Sequence, residues 1–146
     1  MNYEMQMLKC APLIKIAAAK LDKKCKKFAL GSFSVENQRN GTPGQFEYLA
    51  EMVAKRDEWL DVCFAVRQAI ADMPKKFRLL FYKRFVAKQT NAALVSQIGA
   101  SLSAFYRLVA DCRRRFAKNL SDYGYTKQWF DKNFGKMLAE VIELVD

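Results

Sequence analysis

The chain of 146 residues contains no histidine. Any acid–base chemistry would fall to Asp, Glu, Lys, Tyr or Cys. No nucleophile elbow, phosphate-cradling glycine loop or carboxylate cluster is visible, so neither an enzyme nor a cofactor is expected. Glycine (6) and proline (3) are scarce, which argues against a loop-rich or all-β protein. The four cysteines, Cys10, Cys25, Cys63 and Cys112, form no CxxC pair. Without histidine beside them a metal site is not expected, and they read as small buried hydrophobes. No run approaches the roughly 18 apolar residues of a membrane span. The start, MNYEMQMLK, lacks a charged region followed by an apolar run, so no signal peptide is expected. The reading is a reduced, cytoplasmic protein with no membrane partner.

What remains is helical pattern and positive charge. Hydrophobic residues make up 51% of the chain, enough for a real core. They recur every three to four residues over long stretches, which predicts an all-α fold. The net charge is +10. It is unevenly spread: residues 1–44 carry +5, residues 45–72 carry −3, residues 73–120 carry +10, and residues 121–146 carry −2. A basic block bounded by acidic segments suggests an anionic partner.

The first segment, from about Tyr3 to Phe28, has helical periodicity, and Pro12 is expected to divide it. Leu13, Ile14, Ala17, Ala18 and Leu21 form its apolar stripe. Lys20, Lys23, Lys24, Lys26 and Lys27 crowd its end. They suit the negative end of a helix dipole, and they could also form a DNA-contacting arm. Residues 29–44, rich in Gly, Ser and Asn, read as a loop.

A second helix is expected from about Gln45 to Asp72. A heptad frame places Phe46, Val53 and Leu60 at one seam position and Leu49, Cys63 and Ile70 at the other, with Arg56 and Arg67 also on the seam. A dimerising coiled coil shows such a pattern. So does an amphipathic helix of a bundle, which the burial needs of Trp59 and Phe64 favour. A homodimer is therefore open.

Met73-Pro74 breaks the pattern, and Pro74 starts a helix over about 74–86 whose apolar side is Phe77, Leu80, Phe81 and Phe85. Thr90 or Asn91 suits the N-cap of a short helix over 91–98. Gly99 can take the left-handed conformation that a tight turn requires. Ser101 or Ser103 then caps a helix to about Asn119, with Phe105, Leu108, Val109, Cys112, Phe116 and Leu120 inward. A last helix is expected over about 126–145, with Gly135 inside it. The division expected is a helical region 1–72, a helix-turn-helix domain 73–120 and a C-terminal helix 121–146 for packing or dimerisation.

The stretch LVSQIGASLSAFYR, Leu94–Arg107, thus reads as a helix-turn-helix, whose second helix enters the DNA major groove. Its free N-terminal face would be Leu102, Ser103, Tyr106 and Arg107. Arginine can bond a guanine edge, serine a base or phosphate, and tyrosine a phosphate or thymine methyl. Ser101 can add a phosphate contact at the helix N-terminus. Arg113, Arg114, Lys118 and Lys88 complete the candidate DNA-binding set.

Residues 69–120 are similar to region 4 of bacterial sigma factors. More closely, S-x-S-x-F-Y-R followed by R-R-F-A-K-N-L resembles the phage-encoded ArpU and RinA-type late transcriptional regulators. The matching residues are Pro74, Leu94, Ile98, Gly99, Ser101, Ser103, Phe105, Tyr106, Arg107, Phe116 and Ala117. The resemblance covers about a third of the chain. It implies a helical N-terminal part, a polar loop and a sigma-like helix-turn-helix. It also implies a regulator of phage or prophage late genes acting on double-stranded DNA in the bacterial host cytoplasm. The pattern departs at Val95, where a smaller residue is usual, and in the last helix, which has no counterpart. Nothing resembles the promoter-melting sigma region 2, so an accessory activator fits better than a stand-alone sigma factor. The alternative is a helical adaptor that binds RNA polymerase or a sigma factor without touching DNA.

Overall fold

A computed structural model describes residues 2–32 and 43–146. The described residues form an all-α protein without strands. The elements are α1 (Tyr3–Ser32), α2 (Pro43–Ala71), α3 (Lys75–Phe81) with a π-helical turn Tyr82–Val86, α4 (Asn91–Ile98) and α5 (Leu102–Asp122). A short turn α6 (Lys127–Trp129) leads through a second π-helical turn, Phe130–Phe134, into α7 (Gly135–Val145).

Several boundaries differ from the sequence reading. α1 runs unbroken through Pro12. An interior proline costs a helix about 3 kcal/mol, but Pro12 lies on the exposed side, while Met7, Ile14, Ala17 and Ala18 are buried along the same helix. Burial worth about 1.5–3 kcal/mol for each large side chain outweighs one lost hydrogen bond. The expected loop at 29–44 is helical at both ends, up to Ser32 and from Pro43. Phe33, Val35 and the rest of residues 33–42 lie outside the described residues.

The stripe on α2 is also displaced. Met52, Trp59, Val62, Val66 and Ala69 are buried, whereas Phe46, Leu60 and Phe64 of the expected core set are exposed. The buried row lies one residue back from the expected seam, a rotation of about 100°. Apolar residues surround this helix instead of marking one side, so periodicity alone could not choose the buried face.

The chain packs as two compact units rather than three consecutive segments. The division falls after Leu8 within α1, between Phe64 and Ala65 within α2, and between Phe130 and Asp131. One unit joins the start of α1 to Ala65–Phe130; the other joins the rest of α1 and α2 to Asp131–Asp146. The long helices α1 and α2 contribute to both.

In the unit with the rest of α1, Arg56 donates to Asp22 at 2.9 Å, and Lys26 pairs with Asp22 at 3.0 Å. The hydrogen bond from Lys26 is the main reason the Asp22 carboxyl titrates below the usual carboxylate range; the bond from Arg56 adds to it. Lys55 pairs with Glu140 at 3.4 Å, and Lys20 donates to the Val145 carbonyl at 3.3 Å. Lys20 thus serves a helix C-terminus, though that of α7 instead of its own.

In the other unit α3 packs on α5. Phe81 stacks against Phe116 with centroids 4.8 Å apart and against Phe85 at 5.0 Å. Phe81, Leu94, Phe105, Cys112, Phe116 and Leu120 are fully buried. The Cys112 thiol donates to the Phe77 carbonyl at 3.5 Å, and burial pushes its pKa up to about 11. Two bonds tie the end of α5 to the end of α2. Asn119 Nδ2 donates to the Ala69 carbonyl at 2.9 Å, and the Tyr123 hydroxyl donates to Asp72 at 2.6 Å. The latter bond raises the Tyr123 pKa. α5 continues to Asp122, one turn past the expected end, and Gly124 follows at φ +92°.

Candidate nucleic-acid interface

The α4–α5 pair is built from local signals. Thr90 caps α4, its side chain accepting from the Ala93 N–H at 3.2 Å. Gly99 closes α4 at φ +70°, donating its N–H to the Val95 carbonyl. Ser101 then caps α5, accepting from the Ala104 N–H at 3.3 Å. A left-handed residue closing the first of two N-capped helices lets the chain turn sharply within three residues. α5 leaves α4 at a bend of 105°, inside the range of about 90–120° seen in helix-turn-helix units.

The same geometry decides which α5 residues face outward. Phe105, Cys112, Phe116 and Leu120 point inward. Opposite them Ser103, Arg107, Arg114 and Lys118 are exposed. Their spacing of four, seven and four keeps them on one stripe. Leu102 and Tyr106 flank its N-terminal end, 56% and 51% exposed. The structure therefore gathers Ser101, Leu102, Ser103, Tyr106 and Arg107 on the first two turns of α5. Arg114 and Lys118 extend the stripe roughly 10 and 16 Å beyond Arg107.

The three arginines at 113–115 part company. Arg114 is exposed and ion-paired with Asp111. Arg113 is turned about 100° aside and half-buried, its Nε enclosed without a hydrogen-bond partner. Arg115 lies over the Phe77 ring. Lys88 is exposed in the segment before α4, at φ +56°.

A polar cluster beside α4 was not among the sequence candidates. Arg84 Nε donates to Asn91 Oδ1 at 2.6 Å. Lys83 Nζ reaches Gln97 Oε1 at 3.5 Å, and Gln97 Nε2 reaches Gln89 at 3.4 Å. Lys83 and Arg84 lie in the π-helical turn Tyr82–Val86, and both bond to residues of α4. The bonds of this cluster span 7 to 14 residues, so only the KQTNA capping signal hinted at it. In a helix-turn-helix the first helix crosses the DNA backbone, and Arg84, held by Asn91 at the start of α4, is a donor that suits a phosphate oxygen.

Among the described residues no group of three or more His, Cys, Asp or Glu side chains could hold a metal, and no single helix is long and apolar enough to cross a membrane. No protein-family model, curated protein or solved structure matches the chain.

Proposed function

We propose that the chain is a sequence-specific double-stranded DNA-binding transcription regulator, of the kind phages and prophages use for late genes. The observation that carries this reading is the 105° bend at Gly99, which leaves the first two turns of α5 projecting Ser103, Tyr106 and Arg107 into solvent. An α-helix fits a major groove about 12 Å wide, and its N-terminal residues are the ones that reach base edges. Arg107 is the base-reading residue in this arrangement. Ser101 and Ser103 position the helix end. Arg114 and Lys118, too far along α5 to share the same base pairs, would contact backbone phosphates. The basic block at 73–120 supplies the sequence-independent attraction. The late-gene assignment rests on the sequence resemblance alone.

The test is selection of bound sequences from a random duplex pool, followed by salt titration on the winner. The expected result is one enriched motif, with affinity falling linearly in log–log against salt. Equal affinity for the enriched and scrambled duplexes would refute sequence reading. A DNA titration indifferent to salt, together with retention on RNA polymerase, would favour the adaptor reading.

A further inference from the structure

Beside the DNA-reading stripe lies a hollow of about 180 Å³ bounded by α3, α4 and α5. Leu80, Leu94 and Leu108 are among its lining residues, and Leu79 and Ile98 stand 49% and 44% exposed at it. Its polar groups come from Lys76, Lys83 and Gln97, and no carboxylate lines it. Residues 73–88, which supply Lys76, Leu79, Leu80 and Lys83 to its lining, contain six basic side chains and no acid.

We propose that this hollow docks an acidic amphipathic helix of another protein. The volume falls below the roughly 300–1,000 Å³ of sites for drug-sized ligands, and it suits one large apolar side chain as an anchor. Exposed Leu79 and Ile98 extend the apolar contact beside that anchor, as a groove does when it accepts residues at i, i+3 and i+4 of a helix. Lys76 and Lys83 complement carboxylates flanking such an anchor and repel a basic segment. DNA phosphates would satisfy the two lysines but would gain nothing from the leucines and isoleucine. Leu108 follows Arg107 by one residue and therefore faces about 100° away from it around α5. The hollow is thus on a different side of α5 from the stripe, and its occupancy does not depend on whether that stripe reads DNA.

The experiment is an NMR titration of the 15N-labelled full chain with a synthetic helical peptide carrying Leu at i, i+3, i+4 and i+7 and Glu elsewhere. Saturable binding is expected, with the largest shifts at Leu79, Lys83, Gln97 and Ile98. Lys83→Glu and Leu79→Ser should each weaken it at least about five-fold, equivalent to about 1 kcal/mol. Both sites are exposed, and circular dichroism checks that each variant keeps its helix content. The same peptide with every Leu replaced by Ala, or every Glu by Lys, should bind far more weakly. Three results would overturn the proposal: no saturation, equal binding by the Leu→Ala peptide, or shifts centred on Arg107 and Lys118. So would a Lys83→Glu variant that keeps peptide binding and loses affinity for a duplex, since the lysine would then be a phosphate contact.

Discussion

The guanidinium of Arg115 lies over the ring of Phe77, 4.1 Å from its centroid. Phe77 belongs to α3 and Arg115 to α5, so the contact helps clamp these two helices. Of three consecutive arginines, this one serves packing. Arg115→Ala should cost about 0.5–2 kcal/mol of stability, read by urea denaturation. The slope of DNA affinity against salt should stay unchanged. A slope reduced by about one would mean that Arg115 contacts a phosphate instead.

Arg107 and Lys118 share one face of α5 but are assigned different tasks. Arg107→Ala should cost about 1–3 kcal/mol on the enriched duplex and relax preference at one base position. Lys118→Ala should weaken all duplexes alike and lower the salt slope by about one. Fluorescence anisotropy on specific and scrambled duplexes separates the two. Identical behaviour of the variants would remove the distinction drawn along the stripe.

Ser101 has two assignments that one substitution can split. Aspartate caps a helix about as well as serine, and its charge suits the N-terminal dipole. Ser101→Asp should therefore keep the melting temperature while weakening DNA binding by repelling the phosphate. Ser101→Ala should lower stability by about 0.5–2 kcal/mol. Unchanged DNA affinity in Ser101→Asp would leave Ser101 as a cap alone.

Gly99 occupies the left-handed region at φ +70°, with open space around a would-be Cβ. Gly99→Ala meets no clash, so its cost is backbone strain of roughly 1–2 kcal/mol. Gly99→Asn should be milder, because asparagine tolerates this region. Thermal denaturation ranks the three; an alanine variant as stable as the parent would show that the turn does not need glycine.

The Asp22 carboxyl is held below its ordinary range by hydrogen bonds, first from Lys26 and then from Arg56. A folded pKa lower than the unfolded one stabilises the fold above the unfolded value of about 3.9. That stability is lost as pH falls through the folded pKa. Asp22→Asn should therefore be less stable than the parent at pH 7, and the gap should close in acid. Urea midpoints measured across this range check the sign; a constant gap would assign the effect to shape rather than charge.

The local code of the α4–α5 pair was legible in the residues themselves. Thr90, Gly99 and Ser101 cap or turn the chain through bonds spanning three or four residues, so neighbours suffice to recognise them. The inward row from Phe105 to Leu120 was legible for the same reason, since α5 separates its apolar and polar sides. The exposed set Ser103, Tyr106 and Arg107 follows directly from that row.

Other features depended on partners distant in the chain. α2 has apolar residues all round, and burial chose Trp59 and Val62 over Leu60 and Phe64. Propensity alone would break α1 at Pro12, yet burial on both sides of it carries the helix through. Arg115 lies on Phe77 of α3, whereas Arg114 pairs with Asp111 on its own helix, so shared identity did not set their fates. The sequence alone determined an all-α chain with a basic block around two capped helices, because periodicity, capping and charge are local or additive properties. Which helix faces are buried, where the compact units divide and which arginine stacks on Phe77 were decided by tertiary structure. Burial and ring stacking are properties of pairs brought together in space.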